Sequence, residues 1–240
     1  GMGLAMARQL LDAGHELVTL SRSTSEDLAQ AAATAGAPLQ QWSVDLGEPE
    51  AAARRLGDWL AGLDAARYAS VTLINNAGVI PQIAPLSQLQ PADIAQAMRV
   101  GLEAPMLLTA AFLAATEGWT AVPRKVLNIS SGLGRRAIAS QASYCAAKAG
   151  MDHFSRSVAL DEALKPHGAR ICSLAPGVID TDMQVQLRSA DAAAFPDAGN
   201  FAQLKQGGKL STPEQAAALV LGWLQRADFG EQVVADVRQP

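Results

Sequence analysis

The sequence predicts a doubly wound α/β domain, a parallel sheet held between two layers of helices, on three observations. Short apolar runs rich in Val, Ile and Leu alternate with longer Ala-rich stretches of helical period. Most of these runs carry apolar residues at successive rather than alternate positions, as strands covered on both faces do. Strand–helix–strand order repeats with short links along the 240 residues, which favours crossover connections.

The elements follow in order. The opening "GMG" (Gly1, Met2, Gly3) reads as the end of a glycine-rich turn that starts a helix at 4–13. Strands are expected at 15–21, 39–46, 70–78, 125–131, 169–177 and 231–237, and further helices at 25–35, 49–62, 91–117, 141–165 and 213–226. The last helix opens on "TPEQ": Thr212 can cap, Pro213 suits the first turn and Gln215 completes a capping box. An irregular insertion is expected near 181–211. No repeat, linker or low-complexity tract divides the chain, so a single domain over 1–240 is expected. The strand at 15–21 reads as the second of a βαβ unit whose first strand, central in such a sheet, does not appear. The natural chain is therefore expected to carry roughly 10–20 residues ahead of Gly1.

Composition narrows the function. With 49% hydrophobic and 18% charged residues, the chain is that of a packed globular domain. A net charge of −4 without clustered Lys and Arg argues against nucleic acid or an anionic membrane as partner. Cys145 and Cys172 are isolated, so neither a disulfide framework nor a zinc site is expected. His15, His153 and His167 lack ligand spacing, and no metal site is expected. No run of 18 apolar residues and no basic-then-apolar leader is found; a soluble, cytoplasmic protein is the expectation. Trp42, Trp59, Trp119 and Trp223 are not grouped and read as core or interface residues.

The residues that could do chemistry lie at predicted strand ends. Tyr144 and Lys148 in "SYCAAK" share a helix face one turn apart. A nearby ammonium would lower the phenol's pKa and make it a usable proton donor, although such a pair is commonplace on an Ala-rich helix. Ser131, thirteen positions earlier, ends the strand "KVLNISS", where a hydroxyl can reach a substrate oxygen; a turn or capping serine is the plain alternative, for Ser130 as well. Asp45 and Leu46 ("VDL"), Asn75, Asn76, Ala77 and Gly78 ("NNAG"), and Pro176, Gly177, Val178, Ile179 and Thr181 ("PGVIDT") end other strands, with small residues that let a flat ligand approach the backbone.

Together, "GMG", "VDL", "NNAG", "NISS", "YCAAK" and "PGVIDTDM" resemble the short-chain dehydrogenase/reductase family over essentially the whole chain, and most of all its sepiapterin reductase and benzil reductase branch. The resemblance implies a Rossmann-type, three-layer fold, an NADPH-dependent carbonyl reductase, and a vicinal diketone or pterin side-chain ketone as substrate. It assigns catalysis to Ser131, Tyr144 and Lys148. Cofactor contacts fall on Gly1, Met2, Gly3, Asp45, Leu46, Asn76, Ala77, Gly78, Tyr144, Lys148, Pro176, Gly177, Val178, Ile179 and Thr181. A homodimer or homotetramer joined by the helices at 91–117 and 141–165 is implied too. Arg22, where an acidic residue would bind the ribose hydroxyl of NAD, points to the 2′-phosphate of NADPH. Leu133, Ile138, Met183 and the segment 184–205 are expected to wall the substrate, and Asp191 and Asp197 read as solvated loop acids.

Two departures stand out. The family's glycine-rich turn is longer, so the pyrophosphate site is incomplete in the sequence as it stands. Many members also carry Asn where "MRVGLEAP" has Gly101; the expectation is that Gly101→Asn leaves activity equal or higher. Both departures favour a competing reading, a nicotinamide-binding regulatory or scaffold protein that has lost turnover. The complete Ser131, Tyr144 and Lys148 set argues against it.

Overall fold

The computed structural model describes residues 1–239. Its strands are β1 (Leu17–Ser21), β2 (Leu39–Ser43), β3 (Val71–Asn75), β4 (Arg124–Ile129), β5 (Arg170–Ala175) and β6 (Val234–Asp236). The helices are α1 (Met2–Asp12), α2 (Glu26–Ala35), α3 (Pro49–Ala61), α4 (Pro91–Met98), α5 (Ala104–Ala115), α6 (Ala142–Ala163), α7 (Asp182–Arg188), α8 (Ala198–Gln206) and α9 (Pro213–Gln225). All strand pairings are parallel: β1 with β2, and β3–β4–β5–β6 in that order. The α/β class and parallel sheet expected from the sequence are thus present.

The sheet is in two parts, the pair β1–β2 and the four strands β3–β6, with no ladder joining β1 to β3 among the described residues. Strand residues alternate between the two helix layers. Leu127, Ile129, Cys172 and Leu174 pack with Met2, Met6, Val220 and Trp223 of α1 and α9. Val126 and Ile171 pack on the other face with Leu56, Leu60, Leu108 and Phe112 of α3 and α5.

Three expectations need correction. The helix expected over 91–117 is broken by a π-helical turn, Arg99–Glu103, between α4 and α5. Gly101 lies in that turn, buried against α6, where an added Cβ would stand 3.0 Å from the Cβ of Ala147. An asparagine would push on the residue before Lys148, so the expectation for Gly101→Asn meets a steric objection. The segment near 181–211 is helical rather than irregular: α7 and α8 enclose a small core of Leu187, Phe195 and Ala198, backed by Ile80, Ile83, Ile138 and Phe201. Its two ends are tied together by a bridge between Ile179 and Ser211. Finally, three of the four tryptophans share one core, whereas Trp223 lies in the other. Trp42 meets Trp59 edge-on at 5.8 Å, and Trp119 stacks on Tyr68.

The helical run Pro91–Ala115 has a mean hydropathy of 1.4 and is long enough to cross a bilayer. In this fold it packs against α3 and α6 instead. The Thr212–Gln215 capping box forms as the sequence predicts, with both reciprocal hydrogen bonds.

Candidate active site

Because the strands are parallel, their carboxyl ends collect on one side, where open α/β sheets take ligands. Arg22 follows β1, Asp45 follows β2, Asn76 follows β3, Ser131 follows β4 and Pro176 follows β5. A cavity of about 2310 Å³ runs from the space between β1 and β3 to these ends. Every site residue proposed from the sequence lines it except Ile138, which packs into the small core under α7 and α8. The cavity also touches Gln184, which opens the segment expected to wall the substrate, Ser130, which the sequence marks only as a turn or capping serine, and Arg136, for which the sequence carries no signal.

A buried polar ladder holds α6 in register with the strands. The Asn75 amide donates to Asn128 Oδ1 at 2.8 Å, and the Asn128 amide donates to Ser155 Oγ at 2.8 Å. Ser155 in turn donates to the Met151 carbonyl at 2.8 Å. With α6 so fixed, Tyr144 and Lys148 face the end of β4. Lys148 is 4% exposed, and its ammonium donates to the Ile129 carbonyl at 2.7 Å while lying 5.9 Å from the centre of the Tyr144 ring.

Ser131 is the cap of the short turn Gly132–Gly134: its Oγ accepts from the Leu133 N–H at 3.1 Å. That bond uses an acceptor lone pair and leaves the hydroxyl hydrogen to be donated elsewhere. The capping role belongs to Ser131 rather than to Ser130, whose buried hydroxyl is unpartnered among the described residues.

Two protonation states follow from burial. Burial raises the Tyr144 phenol above its ordinary value, against the lowering effect of the Ser131 hydroxyl. The expectation of a phenol held low by Lys148 is therefore not met in this state; the phenol stays protonated at neutral pH. Burial also lowers Lys148 to about 8, opposed by the charge of Asp152. The lysine is then largely charged at neutral pH and loses its proton as the pH rises through that value.

The cradle suits a flat, phosphorylated nucleotide. A Cβ on Gly3 would stand 2.6 Å from the Asn76 side-chain amide, so a larger residue there would displace that amide from the start of α1. Gly177 has φ 82°, a left-handed conformation that glycine adopts without strain. Arg22 is exposed at the cavity wall and forms no ion pair among the described residues. Asp45 turns its carboxylate onto the Gly47 N–H at 2.8 Å and so shapes its own loop.

Residues 1–192 match the profile of the short chain dehydrogenase family. The chain belongs to that family. It is 32% identical over 238 residues to a benzil reductase ((S)-benzoin forming) of Bacillus cereus, covering 98% of this chain and 95% of that protein. Sepiapterin reductase of Xenopus tropicalis is 31% identical over 189 residues, 76% of this chain and 69% of that one. Among solved structures, a putative 2-deoxy-d-gluconate 3-dehydrogenase from Agrobacterium tumefaciens with bound NADP superposes with a TM-score of 0.79 at 27% identity, covering 99% of this chain and 90% of the other. This short-chain dehydrogenase is thus an oxidoreductase of carbonyl and hydroxyl groups, of a family that uses a nicotinamide cofactor.

Proposed function

We propose that this short-chain dehydrogenase is an NADPH-dependent reductase of a vicinal diketone, with a pterin side-chain ketone as the related alternative. The observation that carries the reading is the meeting of Ser131, Tyr144 and Lys148 at one end of the cavity, with a protonated phenol beside the serine hydroxyl. A reduced nicotinamide, when bound, supplies the hydride that ends on the carbonyl carbon. Ser131 donates its hydroxyl hydrogen to the carbonyl oxygen and fixes its direction. Tyr144 gives its proton to that oxygen as the C=O bond becomes single, so the oxygen leaves as a hydroxyl. The Lys148 ammonium then stabilises the phenolate, and a solvent proton restores it. Orientation by these groups and charge stabilisation at the oxygen supply most of the acceleration. Gly1, Met2, Gly3, Asn76, Ala77, Gly78, Pro176, Gly177, Val178, Ile179 and Thr181 would hold the nucleotide, and Leu133 and Met183 the substrate.

The test is loss of NADPH absorbance with a panel of 1,2-diketones, sepiapterin and simple monoketones. Turnover concentrated on the diketones supports the reading; tight NADPH binding with no oxidation across the panel would favour the scaffold instead.

Arg22 is read as the partner of the 2′-phosphate. A charge-assisted bond is worth about 1.5–3 kcal/mol, so Arg22→Ala should reduce the NADPH-over-NADH preference at least about tenfold. An unchanged ratio would show that another group reads the phosphate.

Leu160 on α6, Leu164 at its C-terminal cap and Met106 on α5 are 71%, 86% and 42% exposed. We read this apolar surface as the contact with a second copy of the chain. Light scattering should give a multiple of the 25.0 kDa chain mass; a monomer at working concentration would contradict it.

A further inference from the structure

We propose that Asp152 is a positioning residue for this site: the buried counter-charge of Lys148, shared with Arg135 of the turn that carries Ser131's cap. The inference rests on the reading of Lys148 as the group that supports the Tyr144 phenolate.

The geometry is that of one helix face. Tyr144, Lys148 and Asp152 succeed one another at intervals of four along α6. Asp152 is 2% exposed, as inaccessible as Lys148. One of its oxygens, Oδ1, accepts from Ser173 Oγ of β5 at 2.7 Å. The other, Oδ2, has no hydrogen-bond partner among the described residues. Its nearest cation is Arg135, with Nε at 3.6 Å. Gly134 lets the turn close directly over it, since a Cβ there would stand 2.9 Å from Oδ2. A buried carboxylate whose second oxygen has no hydrogen bond and only a partly exposed guanidinium at 3.6 Å is costly and calls for a further counter-charge. A buried ammonium one turn away provides it.

Few other charges intervene. Lys148 faces Tyr144 and the Met151 sulfur from its own helix, the Ile129 carbonyl from β4 and Gly78 from the loop after β3. Asp152 faces Ser173 of β5. The neighbouring Cys172 points to the opposite layer, and burial pushes its thiol up to about 12 and so keeps it neutral. Arg135 also donates to the Ala235 carbonyl at 3.2 Å, beside the Asp236–Arg238 ion pair, so its charge is divided between Asp152 and the end of β6. Asp152 opposes the loss of the Lys148 proton that burial promotes.

The test uses two isosteric or near-isosteric variants with opposite expected signs. Asp152→Asn keeps the acceptor for Ser173 and removes the charge. The alkaline limb of the kcat profile should move to lower pH by about one unit. Arg135→Gln removes the competing cation from a partly exposed position and should move the same limb to higher pH. A purely structural role would lower kcat in either variant and leave the limb where it was. The Lys148 titration should also be followed directly, by NMR of the 13Cε-labelled lysine, which requires no turnover. A lower Lys148 pKa in Asp152→Asn supports the proposal even if no substrate is reduced, which would count against the proposed function alone. An unmoved or raised Lys148 titration overturns it. Should Asp152→Asn fail to fold, the Arg135→Gln titration decides: a rise supports the proposal and no change overturns it.

Discussion

Tyr144→Phe should lower kcat for a diketone by about 10²–10⁴-fold, the range that a positioned general acid contributes, while leaving nucleotide affinity nearly unchanged. The variant removes one oxygen and keeps the ring that packs on α6. It therefore removes the proton that the carbonyl oxygen needs, without disturbing the Asn75–Asn128–Ser155 ladder that sets the helix register. Steady-state kinetics with fluorescence titration of NADPH separates the two effects. Residual activity within tenfold of the parent would mean that another group, with Ser131 the nearest candidate, delivers the proton. The same site predicts the pH response. Lys148 titrates at about 8, so the rate should fall as the pH rises through that value and the phenolate loses its support.

Glu162→Ala should have the largest effect on stability. Glu162 closes the far end of α6, at the opposite pole from the site. Its carboxylate accepts the Ala169 N–H at 2.8 Å and Lys165 Nζ at 2.6 Å, and lies 3.6 Å from Arg124. Glu162 and Arg124 side chains are only 3% and 2% exposed. Gly168 makes the approach possible, since a Cβ there would stand 1.9 Å from the Glu162 carbonyl oxygen. Removing the carboxylate leaves the buried Arg124 guanidinium only the His167 carbonyl at 2.7 Å and the exposed Glu117 at 3.9 Å, and leaves the Ala169 N–H without its acceptor; the loss expected for a broken buried pair is about 3–5 kcal/mol. Chemical denaturation checks it; a loss below about 1 kcal/mol would show the corner to be dispensable. Burial pushes the Glu162 carboxyl up, but Lys165, the Ala169 N–H and Arg124 bring it below its ordinary value. A carboxyl depressed in the folded state binds fewer protons folded than unfolded. Its stabilisation is therefore full at neutral pH and lost as the pH falls through the folded value.

The fold is legible in the sequence because parallel strands buried on both faces leave continuous apolar runs, and the helices between them have clear ends, as the Thr212–Gln215 box illustrates. Ser131, Tyr144 and Lys148 are legible because strand ends and the four-residue helical interval place them without knowledge of the packing. The rest depends on contacts between distant segments. The π-turn at Arg99–Glu103 arises where α4 and α5 cross α6 against Ala147, and no local pattern marks it. Ile138 reads as substrate wall on its apolar character alone, yet α7 and α8 fold into helices and draw it into their own core. The Tyr144 protonation state escapes the sequence because the helical interval shows the lysine but not the burial that outweighs it. Asp152 shares the four-residue interval of Tyr144 and Lys148, but its significance lies in its burial and in an oxygen left without a hydrogen bond, which the interval does not show.

On the proposed function, the end of the cavity at Ser131, Tyr144 and Lys148 reduces a carbonyl with a nicotinamide hydride. Its most direct test is to incubate the protein with benzil and NADPH deuterated at the transferring position of C4, then locate the label by mass spectrometry and NMR. One deuterium is expected on the carbinol carbon of the hydroxyketone, appearing at least about 10²-fold more slowly with Tyr144→Phe. A folded, NADPH-binding protein that yields no labelled hydroxyketone, or labelling at an equal rate by the Phe variant, would contradict it.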